Sequence, residues 1–129
     1  MWLIIRILRI FPPETAHKIS LTLLFFVHQL GLLSIFKNEK QSETIEFLGL
    51  RFKNMLGTAA GLDKNGDYID CLGALGFGFL EVGTITPKAQ AGNKKPSVFR
   101  LSKDKGVINR MGFNNKGIDH LVTNLKQHK

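Results

Sequence analysis

Cysteine is almost absent from this sequence of 129 residues, since Cys71 is the single one. One thiol cannot form a disulfide within the chain, and it cannot supply a site that needs several thiolate ligands. Scarce cysteine is also typical of proteins that work in a reducing compartment. The sequence therefore predicts no disulfide framework and no bound metal, and Cys71 is interpreted as a buried thiol on a helix.

Long hydrophobic runs are missing as well, although 22 of residues 1–36 are hydrophobic. Even the longest runs, such as the one from Leu23 to Val27, are far shorter than the roughly 18 residues that span a bilayer. A cleaved signal peptide is a poor interpretation, because Arg6 and Arg9 interrupt the apolar stretch and no A-x-A-like cleavage site follows. We expect a segment that is retained and does not span a membrane.

Acidic residues are scarce in the last third of the chain. Residues 87–129 contain 10 lysines and arginines against two acidic residues, whereas residues 1–86 are balanced, so this stretch carries the whole net charge of +8. Its aromatic residues are only Phe99 and Phe113, and it contains no nucleic-acid-binding motif. We therefore predict no nucleic-acid partner.

Periodicity and helix breakers predict two helices and a hairpin in the first 54 residues. Pro12 and Pro13 must end a first helix, because proline lacks the N–H donor, and proline suits the first turn of a second helix. Gly31 is a natural stop for that second helix. The predicted units are helices over 1–11 and 13–30, a polar linker over 37–44, and a hairpin of strands 45–48 and 50–53 turning near Gly49.

Residues 55–129 alternate between strand-like and helix-like patterns, which indicates parallel βαβ units and an α/β fold. Asn65 is the expected N-cap of the first helix and Gly76 its stop, and the last helix is expected to begin near Asn114 or Asn115. The loop before it is 27 residues long, and ordered loops of that length are usually functional. The predicted units are strands 55–59 and 79–86, helix 66–75, a hairpin of 98–101 with 107–109, and the final helix.

Two segments carry side chains suited to a polar, planar ligand. The run from Ala59 to Lys64 leaves the carboxyl end of the first strand, where small residues let a flat ligand approach the backbone and a lysine can meet an anion. The run from Asn109 to Asn115 holds three asparagines, which both donate and accept hydrogen bonds. The alternatives are a tight turn with a solvated lysine for the first run and a helix N-terminus with two caps for the second.

These segments resemble the amino-terminal part of class 2, quinone-dependent dihydroorotate dehydrogenase. The motifs that carry the resemblance are AAGLDK, GTITP and NRMGFNN, and the upstream PPETAHKIS with its two helices matches the amino-terminal extension of that class. The resemblance covers nearly the whole chain. One departure is Ala91, where relatives often carry proline, and it affects only the stiffness of a loop.

The resemblance implies an α/β architecture: an N-terminal two-helix, membrane-associated extension followed by the first two βα units of a TIM (β/α)8 barrel. Such a barrel takes about 250 residues. Only 75 residues follow Asn54, so a truncated barrel or a piece of a longer chain is expected. The implied domains are a quinone-tunnel and membrane-association domain over 1–36, a linker and hairpin over 37–54, and the start of a barrel that binds flavin mononucleotide (FMN) over 55–129.

The resemblance also implies three sets of ligand contacts. The residues matching FMN contacts are Ala60, Gly61, Leu62, Asp63, Lys64 and Thr84. Those matching contacts to dihydroorotate or orotate are Lys64, Asn109, Arg110, Met111, Gly112 and Phe113. His17 and Arg100 match residues of the quinone tunnel, where they can hydrogen-bond a quinone carbonyl.

The implied reaction oxidises dihydroorotate to orotate in pyrimidine biosynthesis, with FMN as cofactor and a membrane quinone as final acceptor. The family's catalytic base is a serine that would lie beyond Lys129, so no residue here is assigned that role. The implied location is peripheral, on the cytoplasmic face of the bacterial inner membrane rather than the mitochondrial one. The alternative is a non-catalytic fragment that binds a membrane surface through apolar residues 1–36 and basic residues 87–129.

Overall fold

The computed structural model describes residues 2–36 and 44–127 and begins with two helices joined at a proline corner. Helix α1 spans Trp2–Ile10, and helix α2 spans Pro13–Gln29. The Pro12 carbonyl accepts the N–H of Ala16 at 2.9 Å, and Pro13 occupies the first turn of α2. Both predicted helices are confirmed. Gly31, at a φ of +71°, follows the end of α2, and an unforeseen 3-10 helix then covers Leu32–Phe36.

Two antiparallel hairpins form where they were predicted. Strand β1 (Ile45–Phe47) pairs with β2 (Leu50–Phe52), and strand β3 (Val98–Leu101) pairs with β4 (Gly106–Asn109). Leu48 and Gly49 form the first turn with φ values of +51° and +77°. Positive φ at both central residues is the backbone geometry that lets a two-residue loop match the strand twist. The linker predicted over 37–44 lies, except for Thr44, outside the described residues.

The two predicted strands of the βα units run parallel but do not form regular strands. Thr58 shows where the ladder breaks: its N–H donates to the Phe79 carbonyl at 3.3 Å, but its hydroxyl accepts the Glu81 N–H at 3.1 Å. In a regular parallel ladder the carbonyl of Thr58 would accept that second bond. The parallel direction is confirmed, and regular strands over 55–59 and 79–86 are not. Two isolated parallel bridges join these segments, Gly57 with Phe79 and Asp63 with Val82.

Helix α3 (Ile69–Gly73) begins three residues later than predicted. Gly66 has a φ of +67°, which is not helical, so a helix cannot start there. The Asp63 carboxylate accepts the N–H groups of Asp67 and Tyr68 at 3.0 and 2.7 Å and thereby closes the turn before the helix. The assignment of Asn65 as N-cap is wrong, and so is the stop at Gly76, because α3 already ends at Gly73. Gly76 has a φ of +93° and lies in the turn that follows the helix.

Helix α4 (Ile118–Gln127) also begins later than predicted. Gly117 has a φ of +88°, and the Asn115 side chain is used elsewhere: its oxygen accepts the backbone N–H groups of Thr86 at 3.2 Å and Gly117 at 2.9 Å. A start at Asn114 or Asn115 is therefore wrong, because long-range hydrogen bonds occupy the expected cap.

Helix α2 packs against α3 and β3 and organises a small apolar core. Cys71 on α3 is 1% exposed, which confirms its interpretation as a buried helix thiol. Helix α1 contrasts with this core, because Leu3 and Ile10 are 70% and 80% exposed. In the described ranges, no helix combines the length and the apolar character needed to cross a membrane. The buried apolar residues are Ala16, Leu21, Leu33, Cys71, Leu72 and Leu121.

Candidate functional site

A cavity of about 340 Å³, the first cavity, opens where the segment around Gly61, the segment around Gly83 and the loop 109–113 meet. The structure brings every predicted substrate residue and four of the six predicted FMN residues to this one place. Two segments about 50 residues apart in sequence thus form one wall. The lining residues are Ala60, Gly61, Lys64, Gly83, Thr84, Asn93, Asn109, Arg110, Met111, Gly112 and Phe113.

Glycine backbone forms part of this wall. Gly61 has a φ of +93°, and no atom lies within 4 Å of the position that a Cβ would take. Its N–H donates to the Gly83 carbonyl at 2.8 Å, which ties the two segments together. A flat ring can approach such a backbone closely, because no side chain projects from it.

Leu62 and Asp63, the other two predicted FMN residues, line a second cavity instead. Asp63 is 3% exposed, and its carboxylate is occupied by the backbone N–H groups of Asp67 and Tyr68. The Asp63 side chain therefore shapes the turn that carries Lys64, and its backbone carbonyl accepts the Gly83 N–H at 3.3 Å.

Lys64 stands between the two cavities and lines both. Its Nζ lies 2.6 Å from Oδ1 of Asn114 and 3.2 Å from Sδ of Met111. The side chain is half-buried, and this burial lowers the pKa of Lys64 below its ordinary value.

Gln90 and Asn93 hold the loop 109–113 in place, and sequence reasoning missed both. Nδ2 of Asn93 donates to the Arg110 carbonyl at 2.8 Å, and its backbone N–H donates to the Met111 carbonyl at 3.0 Å. Nε2 of Gln90 donates to the Gly112 carbonyl at 2.9 Å. Amide side chains in a long ordered loop were the available signal, because such side chains can satisfy the backbone of a second loop.

Arg110 lines the first cavity, but its guanidinium points towards the β3–β4 hairpin. The group lies 5.8 Å from the centre of the Phe99 ring, and Nη2 donates to the Pro96 carbonyl at 3.4 Å. This cation–π contact and the hydrogen bond hold the guanidinium against the hairpin.

The second cavity has a volume of about 950 Å³ and lies between the α1–α2 pair and the loops that precede α3 and β3. It contains both predicted quinone residues, His17 and Arg100. The Arg100 guanidinium also binds the end of α1, donating to the carbonyls of Phe11 at 2.7 Å, Arg9 at 3.2 Å and Leu8 at 3.4 Å. A cation at these unpaired carbonyls complements the negative end of the helix dipole.

His17 lies on α2, beside the second cavity. Its pKa is lowered, first because the protein partly removes the ring from water and second because the Lys64 ammonium repels a second positive charge. The ring keeps an exposed surface despite this partial desolvation. The imidazole is therefore neutral near pH 7 and can both donate and accept a hydrogen bond.

Glu14 joins the beginning of α2 to the beginning of β3. Its Oε1 accepts the backbone N–H of Ser97 at 2.7 Å and the Ser97 hydroxyl at 2.6 Å, and Lys95 lies 3.3 Å from its other oxygen. The Ser97 hydrogen bonds are the main reason that the pKa of Glu14 is lowered. Both residues of this contact, the Glu14–Ser97 latch, line the second cavity.

Asp67 anchors α4 to the turn before α3. Its two oxygens lie 2.6 Å from Nε2 of His120 and 2.9 Å from Nζ of Lys116, and Asn124 donates to it at 3.0 Å. Burial by itself would raise the pKa of Asp67, but the hydrogen bonds from His120 and Lys116 outweigh it and lower that pKa. Across residues 2–36 and 44–127, no group of three or more His, Cys, Asp or Glu side chains is arranged to hold a metal ion.

Solved structures show the class of protein to which this fold belongs. The chain superposes on two crystal structures of DHODH from Eimeria tenella, one in complex with ferulenol and one ligand-free, with TM-scores of 0.74 and 0.75. Both are 39% identical to this chain and cover 89% of it, whereas the chain covers only 30% and 31% of them.

Sequence comparison agrees with the structural one. The family profile described as Dihydroorotate dehydrogenase matches residues 43–129. A relative from Marinobacter nauticus, named dihydroorotate dehydrogenase (quinone), is 52% identical over 118 residues, and one of the same name from Neisseria meningitidis is 49% identical over 124. These alignments cover 92% and 96% of the chain. The chain belongs to the dihydroorotate dehydrogenase family. It spans about a third of the length of these relatives, 35% and 36%.

Proposed function

We propose that residues 1–129 form the amino-terminal part of a quinone-dependent dihydroorotate dehydrogenase, which oxidises dihydroorotate to orotate in pyrimidine biosynthesis. The observation that carries the proposal is the first cavity, in which the AAGLDK and NRMGFNN segments converge on the Lys64 ammonium. The names of the relatives support the same reaction. The proposed domains are the two-helix unit over 1–36, the linker and hairpin over 37–54, and the start of the barrel over 55–129.

The residues of the first cavity fit one edge of the FMN ring system. Gly61 leaves open space where another residue would place a side chain, and Ala60 and Thr84 border that space. FMN, when bound, supplies the acceptance of two electrons from the substrate and their delivery to a quinone. Leu62, Asp63 and Lys64 complete the proposed FMN segment, with Asp63 shaping its turn.

The substrate is proposed to lie against loop 109–113. The Lys64 ammonium offers a positive charge to its carboxylate, and the Asn109 carboxamide can pair with the ring carbonyl and N–H groups. Arg110, Met111, Gly112 and Phe113 form the remainder of this wall.

The second cavity is proposed to admit the quinone. Neutral His17 can donate a hydrogen bond to a quinone carbonyl, and the Arg100 guanidinium lines the same cavity. The exposed apolar side chains of α1, with Arg6 and Arg9 among them, suit a helix that rests on a lipid surface. The proposed location is accordingly peripheral, on the cytoplasmic face of a bacterial inner membrane.

A hybrid enzyme tests the proposal. Residues 1–129 are joined, at the aligned position, to the remaining two thirds of the Marinobacter nauticus relative, which supplies the proposed base serine. We expect this hybrid enzyme to restore growth without pyrimidines in a bacterium that lacks dihydroorotate dehydrogenase, and to reduce a quinone in the presence of dihydroorotate. A hybrid enzyme that folds and retains flavin but oxidises no dihydroorotate would contradict the proposal. Its Lys64→Ala variant is the matched control.

The second candidate is a non-catalytic fragment that binds membrane surfaces. It is favoured by the exposure of α1, where Leu3 and Ile10 are 70% and 80% exposed, together with the basic sequence of 87–129. The coding sequence after residue 129 separates the two candidates, because continuation into a barrel favours the enzyme. For the fragment, flotation with anionic liposomes is the direct test, and binding that is absent at low salt would eliminate it.

A further inference from the structure

The two cavities share a partition, which consists of the residues that line both of them. Gly61, Lys64 and Met111 line both cavities, so the Lys64 ammonium sits in the partition itself. Asn114 lines the second cavity and not the first, and its Oδ1 lies 2.6 Å from the ammonium. The Met111 sulfur, at 3.2 Å, is a weak acceptor by comparison. Asn114 is therefore the stronger of the two partners.

We propose that Asn114 is a positioning residue that holds the Lys64 ammonium at the partition, so that the charge serves an anionic group bound in the first cavity. The proposal rests on the function proposed above, in which that group is the carboxylate of dihydroorotate. An ammonium has three N–H donors. One donor is directed to Asn114 and one to Met111, which leaves the third for the ligand.

The backbone immediately after Asn114 is firmly anchored, which limits the movement of a positioning residue. The next residue, Asn115, is 7% exposed and exchanges two backbone hydrogen bonds with Gln90, both of 2.9 Å. The Asn115 side chain also bonds to Thr86 and Gly117. A short, charge-assisted hydrogen bond to a fixed oxygen removes much of the freedom of a four-carbon lysine chain before the ligand arrives.

The neutral carboxamide matters as much as its position. An asparagine oxygen stabilises the ammonium without cancelling its charge, so the full charge is left for the ligand. An aspartate in the same place would form an ion pair with Lys64 and compete with a substrate carboxylate. The acceptor also opposes the burial that lowers the pKa of Lys64.

The experiment uses the hybrid enzyme with FMN bound, and it follows orotate binding by the flavin absorbance from neutral to alkaline pH. For Asn114→Ala we expect the Kd of orotate and the KM of dihydroorotate to rise about tenfold, with a smaller change in kcat. Orotate binding is expected to be lost at alkaline pH, and in this variant the loss should occur at a lower pH than in the parent. The reason is that Lys64 loses a partner that favours its charged form. For Asn114→Asp that loss should move to higher pH, while binding at pH 7 weakens.

Asn124→Ala is the matched control. It removes a carboxamide that donates to the Asn65 carbonyl at 3.1 Å and to Asp67 at 3.0 Å. These two acceptors are close to Lys64 in sequence, but the Asn124 side chain does not contact Lys64. A general loosening of this segment would shift the pH at which orotate binding is lost in both variants alike. The proposal instead requires that this pH stay unchanged in Asn124→Ala.

A second readout does not depend on turnover. The pKa of Lys64 is measured by NMR of lysine labelled with ¹³C at Cε, with the resonance assigned by Lys64→Arg. We expect this pKa to fall in Asn114→Ala and to rise in Asn114→Asp. If the hybrid enzyme oxidises no dihydroorotate, the proposed function fails and this titration still decides the role of Asn114. An unchanged Lys64 pKa in both variants would overturn the inference.

Discussion

At the scale of single residues, Lys64 and Arg100 are proposed to serve different halves of the reaction. Lys64 lies in the partition beside the first cavity, whereas Arg100 lies in the second cavity and holds the end of α1. Each is a cation with identified hydrogen-bond acceptors, so each has a separable electrostatic effect.

The two side chains should affect opposite halves of the reaction. In the hybrid enzyme we expect Lys64→Ala to slow flavin reduction by dihydroorotate about tenfold or more, because the carboxylate loses a charge-assisted partner. We expect Arg100→Ala to slow quinone reduction more than flavin reduction. Stopped-flow flavin reduction, measured separately from quinone turnover, checks both. Equal losses in both halves for each variant would contradict the assignment.

The contacts between elements show how the two-helix unit is fastened to the remainder of the described chain. The Glu14–Ser97 latch joins α2 to β3, and the Arg100 guanidinium joins β3 to α1. The β3 region therefore forms hydrogen bonds to α1 and to α2, on the two sides of the proline corner. The start of α4 depends on a contact of the same long-range kind, between Asn115 and Thr86. The turn before α3, in contrast, is closed by the nearby Asp63 carboxylate.

Removing the latch should destabilise the fold in a pH-dependent way. We expect Ser97→Ala to lower the free energy of unfolding by about 1–2 kcal/mol at pH 7, because the Glu14 carboxylate loses a hydroxyl donor. The pKa of Glu14 is lowered in the fold. The stabilising contribution of the Glu14 carboxylate to the fold is therefore complete above the pKa of the unfolded state, about 4.3. It is lost as the pH falls through the lower pKa of the folded state. Urea unfolding of the hybrid enzyme at several pH values is the measurement.

The difference in the free energy of unfolding between Ser97→Ala and the parent should become smaller below about pH 4. Ser102→Ala, in the turn between β3 and β4, is the matched control and should leave stability unchanged. A constant difference across this pH range would show that Glu14 is not the partner through which Ser97 acts.

Gly117 tests why α4 begins where it does. A Cβ on Gly117 would lie 2.8 Å from the Ala89 nitrogen, and its φ is +88°. We expect Gly117→Ala to lower the free energy of unfolding by about 2 kcal/mol or more, through strain and close contact. Gly73→Ala is the control, because nothing lies within 4 Å of its Cβ position and it sits in α3. It should be neutral or stabilising by up to about 1 kcal/mol in the same urea titration.

At the scale of the whole molecule, the described chain leaves much apolar surface uncovered. Met55 and Leu56, beside the first parallel bridge, are 82% and 65% exposed. The apolar residues of α1 add a second exposed surface. Contiguous apolar surface of this kind is covered in stable proteins by further chain, by a partner or by lipid.

The isolated polypeptide 1–129 should therefore be aggregation-prone or molten. The parallel segments share only isolated bridges, and fewer than three strands seldom make a stable sheet. We expect helical circular dichroism with a broad, weakly cooperative thermal transition. Circular dichroism and analytical ultracentrifugation, with and without detergent, check this. A sharp two-state transition from a soluble monomer without detergent would refute it.

The isolated polypeptide should also lose FMN during purification. The first cavity offers contacts to the ring, through Gly61, Lys64 and Thr84. In such barrels the phosphate site is built after strands 7–8, which would lie beyond Lys129. The absorbance of the purified polypeptide near 450 nm measures retained flavin. Stoichiometric flavin in the isolated polypeptide, when the hybrid enzyme serves as the positive control, would contradict the expectation.

Local chemistry let the sequence alone determine a large part of this protein. Pro12-Pro13 separates α1 from α2 because proline removes a donor and fixes φ, and Gly49 and Gly76 mark turns that need positive φ. Both hairpins followed from short alternating runs around such turns. The motif segments around Lys64 and Asn109 were recognisable because ligand-binding residue types stand next to one another in the chain.

The tertiary structure decided everything that depends on partners distant in sequence. The late start of α4 results from the hydrogen bond between the Asn115 side chain and Thr86. The parallel ladder is broken because the Thr58 hydroxyl, in place of the Thr58 carbonyl, accepts the N–H of Glu81. The roles of Gln90 and Asn93 appear only when two loops meet. The place of Lys64 between two cavities, held by Asn114 50 residues away, is likewise a property of the packed chain. Hydrogen bonds across such separations leave no periodic pattern in a sequence, because their partners are chosen by packing.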